Sequence, residues 1–379
     1  MRVALLSYGF VEYCIQQANG LAKECEVLLM LPRAEAEEHQ ASIDPAVQVV
    51  LFDRPRLRQP VRQFLSTAGI LRRIRRFRPD VIHFQQGHMW FNLALPLLRA
   101  YPLVVTIHDP RYHVGDRDSQ RTPQGIMDFG FRRADRVIVH GEALKRQVVT
   151  LFGRSAENVH VIPHVAIGCT RTPGPREDDG KTVLFFGRIW DYKGLKYLIN
   201  AEPLVSAEVA EARFVIAGAG DDFAPYQKRM ARPERFVVHN RFIDSSERDE
   251  LFRQASVVVL PYIEATQSGV IPLAYSFGKP VVATRVGALA EAVDEDVTGR
   301  LVPPHDTPAL AAAIVDLLRD PVASRAMGAA GRQKLEREWS PTAVAQQSME
   351  VYRRTIRDRK SPRQVSEPAE CAALEIKSV

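Results

Sequence analysis

The chain has 379 residues, of which 46% are hydrophobic and 25% charged, a length too great for one ordinary core and a composition that excludes a largely disordered or collagen-like polymer. Its net charge of +6 raises nucleic acid as a partner, but the excess is local: residues 51–136 hold 16 Lys or Arg against 7 Asp or Glu, and the C-terminal half is close to balanced. Aromatic side chains interleaved with the basic ones, as on nucleic-acid-binding surfaces, are absent, so no nucleic-acid partner is expected.

From Met1 the pattern is strand, helix, strand. Val3–Leu6 is a continuous apolar run, residues 11–23 carry a helical pattern, and Val27–Leu31 reads as a second strand stopped by Pro32. The N-terminus lacks a basic region leading into a small-residue cleavage site and reads as a first strand rather than a leader. No stretch of about 20 apolar residues, the length that crosses a bilayer, is present. Val47–Phe52 predicts a third strand. Residues 62–78 predict a helix in which Phe64, Ala68, Leu71 and Ile74 form the apolar stripe while Arg72, Arg73, Arg75 and Arg76 cover much of the rest. Further strands are expected at 80–84, 103–107, 137–140 and 159–164. Residues 168–181, rich in Pro, Gly and charge, read as a linker. Five more strands follow at 183–186, 213–217, 236–238, 257–260 and 281–283. Ser340-Pro341 is an N-cap with Pro at the first helical position, predicting a last helix from about Thr342 to Ile356. Largely apolar strands alternating with helices imply parallel sheets covered on both faces. The expected class is therefore α/β, with two Rossmann-like domains facing a central cleft. An N-terminal domain is expected over 1–167, the linker over 168–181 and a C-terminal domain over 182–339; a helix over 340–357 is expected to return toward the first domain, and the tail 358–379 is expected to be disordered. The cysteines, Cys14, Cys25, Cys169 and Cys371, are far apart without metal-type spacing and read as reduced thiols of a cytoplasmic protein.

The most informative stretch is Val183-Leu184-Phe185-Phe186-Gly187-Arg188-Ile189-Trp190-Asp191-Tyr192-Lys193-Gly194. A buried strand runs into Gly187, a loop with two cations five residues apart follows, and Gly194 opens an amphipathic helix. In an open parallel sheet such a loop lies at the carboxyl end of the strand, where ligands bind. Arg binds phosphate oxygens in bidentate fashion and Lys acts as a point charge, so the pair suits a diphosphate.

Six stretches in order, namely Gly187-Arg188 with Tyr192-Lys193-Gly194, Ile216–Gly220, Leu260-Pro261-Tyr262, Gly278–Thr284, Val286–Glu291 and Thr298–Val302, resemble the retaining GT-B glycosyltransferases of glycosyltransferase family 4. The resemblance covers nearly the whole chain, is strongest over 183–305, and makes the N-terminal domain the acceptor domain and the C-terminal one the nucleotide-sugar domain. It implies that Arg188 and Lys193 hold the diphosphate of a nucleoside-diphosphate sugar, with Gly187, Gly218, Phe242, Ser268, Gly269 and Val270 also on the donor side. Neither a metal nor another cofactor is expected, the two cations replacing the metal; Asp116-Arg117-Asp118 reads as a chance likeness to a metal-binding aspartate pair. The family's two glutamates separated by seven residues are not intact here. Counting back without a gap from Gly278-Lys279-Pro280, their positions fall on Ala265 and Leu273, so Glu264 is one residue off and the ribose-reading carboxylate is missing. Glu264 stays a candidate for contacting the donor sugar or the reacting face.

In the N-terminal half, His108 after its strand matches the family's histidine near sugar and acceptor, where an imidazole donates to a sugar hydroxyl or stabilises developing charge. Asp109, His113 and Gly9 are further acceptor-side candidates. The resemblance implies a hexosyltransferase of polysaccharide biosynthesis that moves a sugar to an acceptor hydroxyl on a glycan, a lipid-linked saccharide or a small molecule, by a front-face reaction with retention. Alternatives are a nucleotide-sugar isomerase or hydrolase and a catalytically silent nucleotide-sugar-binding module. The basic face of 62–78 reads either as a solvated helix face or as a peripheral contact with the anionic inner face of a membrane.

Overall fold

A computed structural model describes residues 1–85, 87–112, 122–168, 178–220 and 222–360. Two parallel sheets organise them. The first contains β1 (Arg2–Ser7), β2 (Glu26–Pro32), β3 (Gln48–Phe52), β4 (Val81–Gln85), β5 (Leu103–Thr106), β6 (Arg136–Val139) and β7 (Val159–Val161), in the order β3-β2-β1-β4-β5-β6-β7. The second contains β8 (Thr182–Phe186), β9 (Arg213–Ala217), β10 (Phe236–His239), β11 (Val257–Leu260), β12 (Val281–Thr284) and β13 (Gly299–Val302), in the order β10-β9-β8-β11-β12-β13. The second sheet thus has a sixth strand that the sequence reading took only as a motif: Gly299 lies so close to the Val281 carbonyl of β12 that an added Cβ would stand 2.2 Å from it.

The strand order in each all-parallel sheet reverses between its first and fourth strands, β1/β4 and β8/β11, and loops at such switch points open a crevice at the carboxyl ends of the strands. The loops that matter below leave β1, β5, β8 and β11. Apolar strand residues are buried on both faces, Val3, Leu5, Val81 and Val104 on one side of the first sheet and Ala4, Leu6, Ile82 and Val105 on the other. The last helix, Pro341–Lys360, belongs to the first of these layers: Val344, Ala345, Met349 and Tyr352 share its core, and the Tyr352 hydroxyl lies 2.6 Å from His83 Nδ1 beneath β4. This helix extends past the expected boundary at 357 to Lys360; residues 361–379 lie outside the described residues, as do most of the linker, His113, the 116–118 stretch, Cys169 and Cys371. Cys14 and Cys25 are free thiols. No helix among the described residues is long and apolar enough to cross a membrane.

The helix expected at 62–78 runs Pro60–Phe77; Leu71 and Ile74 of its expected apolar stripe are buried, but the buried face departs from that stripe in the first turn. Its buried face is Gln63, Thr67, Ile70, Leu71, Ile74 and Phe77, and Phe64, assigned to the apolar stripe, is exposed. Gln63 is buried because its amide donates to the Pro55 carbonyl of the preceding loop, so a polar side chain occupies the position that hydrophobic spacing assigned one residue later.

Candidate active site

Backbone geometry builds the donor loop first. Gly187 leaves β8 with φ 111° and Gly218 leaves β9 with φ 146°. A Cβ on Gly218 would stand 2.1 Å from the Gly187 carbonyl oxygen, so the two turns touch through bare backbone. Gly194, at φ 65°, lies against the Pro261 carbonyl in the same way, 2.0 Å from an added Cβ, which presses the loop after β8 onto the loop after β11.

Lys193 is buried by this packing. Its Nζ donates to the Tyr262 hydroxyl at 2.5 Å and lies 4.2 Å from the centre of that ring. Tyr262 Oη is 3.4 Å from Ser268 Oγ, which accepts from the Val270 N–H at 3.2 Å, so a polar chain links the lysine to the start of the Val270–Ser276 helix. Burial pushes the lysine down to about 8, opposed by the nearby Tyr192 and Asp109, and burial also pushes the Tyr262 phenol up to about 12. Arg188 is exposed, its guanidinium 3.8 Å above the Trp190 ring.

A cavity of about 460 Å³ lies over this surface, and its walls include Gly187, Arg188, Lys193, Gly218, Phe242, Ser268, Gly269 and Val270. All eight donor-side positions read from the sequence therefore face one space. Leu273, at one of the two missing-glutamate positions, also lines it, so that wall is apolar where the family pattern has a carboxylate. Across the cleft the cavity meets Glu12 and Ile167; Glu12 accepts from Arg248 Nη1 and from the Gly168 N–H, both at 2.9 Å. A larger cavity of about 890 Å³ lies between β3 and the Pro60–Phe77 helix and shares no residue with the donor loop.

Two expected residues stand elsewhere. Glu264 is exposed and is not among the residues lining the donor cavity, whose wall in this stretch begins at Gln267. His108 is fully buried instead of facing the cleft. Phe10, held at φ 53°, stacks on it at 3.9 Å and 13°. Gln85 orients it: the Gln85 amide nitrogen donates to Gln17 Oε1 at 3.0 Å, so its carbonyl accepts from His108 Nε2–H at 2.9 Å. Nδ1 then carries the lone pair and has no partner. His140 and His164, from the ends of β6 and β7, stand with His108 around Tyr13, at ring separations of 4.9 and 5.2 Å between successive histidines. Burial, and then their mutual repulsion, hold His108 well below its ordinary range. Burial brings His140 to about 4 and His164 to about 3, so the cluster is neutral at pH 7.

Asp109 does reach the cleft, accepting from the Thr266 hydroxyl of the opposite domain. Gly9 has open space around its Cα, with nothing within 4 Å of an added Cβ. Sequence reasoning passed over Tyr262, Gln267 and the His140/His164 pair. Gln267 and Ser268 are shared with a second cavity of about 170 Å³ lined by those two histidines, and Gln267 Oε1 is buried without a hydrogen bond. The signal for Gln267 was its place inside the broken glutamate stretch. Among the described residues no group of three or more His, Cys, Asp or Glu side chains is placed to hold a metal ion.

Two Rossmann-like domains with a basic cavity between them, at the switch point of the second sheet, define the GT-B class of protein. Similar architectures occur in sucrose-phosphate synthase from Thermosynechococcus elongatus, at TM-score 0.71 and 20% identity over 94% of this chain and 100% of that one. Anabaena HepE, in a structure described as a complex with UDP-glucose, superposes at TM-score 0.71 with 18% identity over 93% of this chain and 100% of that one. Residues 180–320 match the profile of glycosyl transferases group 1, and residues 9–165 that of Glycosyltransferase Family 4. The glycogen synthase of Mycobacterium tuberculosis is 30% identical over 76% of this chain and 72% of its own length. The D-inositol 3-phosphate glycosyltransferase of Kribbella flavida is 30% identical over 72% of this chain and 71% of its own. The chain belongs to the family 4 glycosyltransferases, the glycosyl transferases group 1.

Proposed function

We propose that this glycosyltransferase moves a sugar from a nucleoside diphosphate to an acceptor hydroxyl with retention of anomeric configuration and without a metal ion. The observation that carries the reading is the convergence of Gly187, Arg188, Lys193, Gly218 and Ser268–Val270 on one cavity. When the bond from the anomeric carbon to the diphosphate breaks, negative charge develops on the leaving oxygen, and fixed cations beside it lower the barrier. Arg188 and Lys193 are those cations. The acceptor oxygen bonds to the anomeric carbon on the same face, and its proton passes to the departing phosphate oxygen, so charge and atoms balance without a protein nucleophile. The acceptor enters from the side of Gly9 and Asp109. UDP is the first nucleotide to assay, on the likeness to HepE, whose structure is described as a complex with UDP-glucose.

The test is transfer from UDP-glucose, in EDTA, to glycan, inositol-type and lipid-linked acceptors, with the anomeric coupling of the product read by NMR. An α-linked product from the α-linked donor supports the proposal; a β-linked product or a strict need for added metal overturns it. The apolar Leu273 in the cavity wall favours one second reading, a module that binds the nucleotide sugar without transfer. Stoichiometric donor binding with no product from any acceptor would establish it.

A further inference from the structure

The helix Pro60–Phe77 has a face that the fold leaves unused. Val61, Phe64 and Leu65 are 70%, 64% and 63% exposed, and at 100° per residue they project from one side, opposite Gln63, Thr67, Ile70 and Ile74. The same outward side continues into Arg72, Arg75 and Arg76, and the helix contains no Asp or Glu. Leu97, 60% exposed, extends the apolar surface next to it, with Arg75 Nη2 donating to the Leu97 carbonyl at 3.2 Å. Solvation accounts for the arginines. It does not account for three large apolar side chains in a row, since contiguous exposed apolar surface marks an interaction site.

We propose that this face docks the protein on an anionic phospholipid bilayer, with Val61, Phe64 and Leu65 entering the headgroup boundary and Arg72, Arg75 and Arg76 against the lipid phosphates. An apolar end followed by a cationic end on one side of a helix is the pattern of an in-plane interfacial helix. A second copy fits badly, because a two-fold contact through this face opposes arginines to arginines with no acid on the helix to relieve them. The docking is also connected to the cleft. Arg54, in the loop that leads into the helix, donates to the Tyr8 carbonyl at 2.5 Å, one residue before Gly9, and Asp53 accepts from Ser66 of the helix at 2.7 Å. The loop assigned to the acceptor is thereby held near the bilayer. That consequence rests on the transfer reaction proposed above; the docking does not.

The experiment is co-sedimentation of the full chain with vesicles of phosphatidylcholine alone and of phosphatidylcholine and phosphatidylglycerol in equal parts. Binding is expected only to the mixed vesicles. It should weaken about fivefold per arginine removed, hence about 25-fold in R72A/R76A, and about tenfold or more in F64S/L65S. It should disappear in about 1 M salt, where the screening length falls to about 3 Å. UDP affinity should be unchanged in both variants. Equal binding to neutral vesicles, no binding, or undiminished binding of both variants overturns the proposal, as does an oligomer in vesicle-free buffer that F64S/L65S converts to monomer. Vesicle binding in a protein that binds no nucleotide would contradict the donor-site assignment and leave the docking standing.

Discussion

Replacing Lys193 tests the donor site through a property that a surface lysine lacks. Its ammonium is buried against Tyr262 and its pKa is pushed down to about 8 by that burial. A bound diphosphate stabilises the charged form and raises this pKa, so the lysine's contribution to donor binding is fully present below about pH 8 and is lost as pH rises through it. Affinity should therefore be flat from pH 7 to near 8 and then fall roughly tenfold per unit, because Arg188 stays protonated and the second ionisation of a phosphate, near pH 6, is already complete. A charge-assisted hydrogen bond contributes about 1.5–3 kcal/mol, so Lys193→Ala should weaken nucleotide binding at pH 7 by about 10- to 150-fold. In that variant the alkaline fall should vanish. The assay is a calorimetric titration with UDP at several pH values, with a thermal melt of each variant to confirm folding. Wild-type affinity that stays flat to pH 10, or a Lys193→Ala variant that keeps the alkaline fall, would refute the reasoning.

Gly218→Ala would set a Cβ 2.1 Å from the Gly187 carbonyl at a φ of 146°, and should cost about 2–4 kcal/mol of stability while weakening donor binding through the displaced Gly187. A normal melt with normal UDP affinity would contradict the close approach. His108→Ala should lower turnover more than donor affinity, because the buried ring supports Phe10 next to Gly9 on the acceptor side and is not part of the donor cavity wall; an equal loss in both would place it on the donor side. The Glu291 carboxylate accepts from the N–H groups of Glu142 and Ala143 at 2.6 and 2.8 Å, capping a helix of the opposite domain. Glu291→Ala should cost about 1 kcal/mol, seen as a melting temperature lower by about 2–4 °C, with Glu291→Gln recovering only part of it, because its amide nitrogen cannot accept the second N–H. Equal melting of all three proteins would show that the cap contributes nothing.

The donor side was more legible in the sequence than the acceptor side, for a physical reason. Strand, glycine, cation and glycine are local signals, and the backbone that gives Gly187 and Gly194 their positive φ also fixes where Arg188 and Lys193 lie. Most strands were readable for the same reason, as short apolar runs bounded by breakers, and β13 was missed because Gly299 and Arg300 interrupt its apolar run. Positions that depend on tertiary packing were not readable. His108 ends a strand, as expected of a cleft residue, yet Phe10 covers it, and nothing near residue 108 in the chain announces Phe10. Phe64 was misplaced because Gln63 is buried for its hydrogen bond, which hydrophobic spacing does not register. Glu264 was chosen for its charge one position from a family pattern, but this loop reaches the cavity wall only from Gln267 onward, a placement set by tertiary packing and not by local sequence. Tyr262 was quoted only as part of a motif, since a tyrosine after a buried strand usually packs without a role, and its contact with Lys193 depends on the two loops being pressed together at Gly194.

The central claim is that the cavity over Gly187, Arg188 and Lys193 is the donor site. Its most direct test is calorimetric titration of the full chain with UDP, GDP and ADP in EDTA, repeated on Arg188→Ala and Lys193→Ala. The account predicts one nucleotide bound at one site per chain without metal, and weakened about tenfold or more in each variant. Binding of none of the three, or binding that neither variant changes, would contradict it.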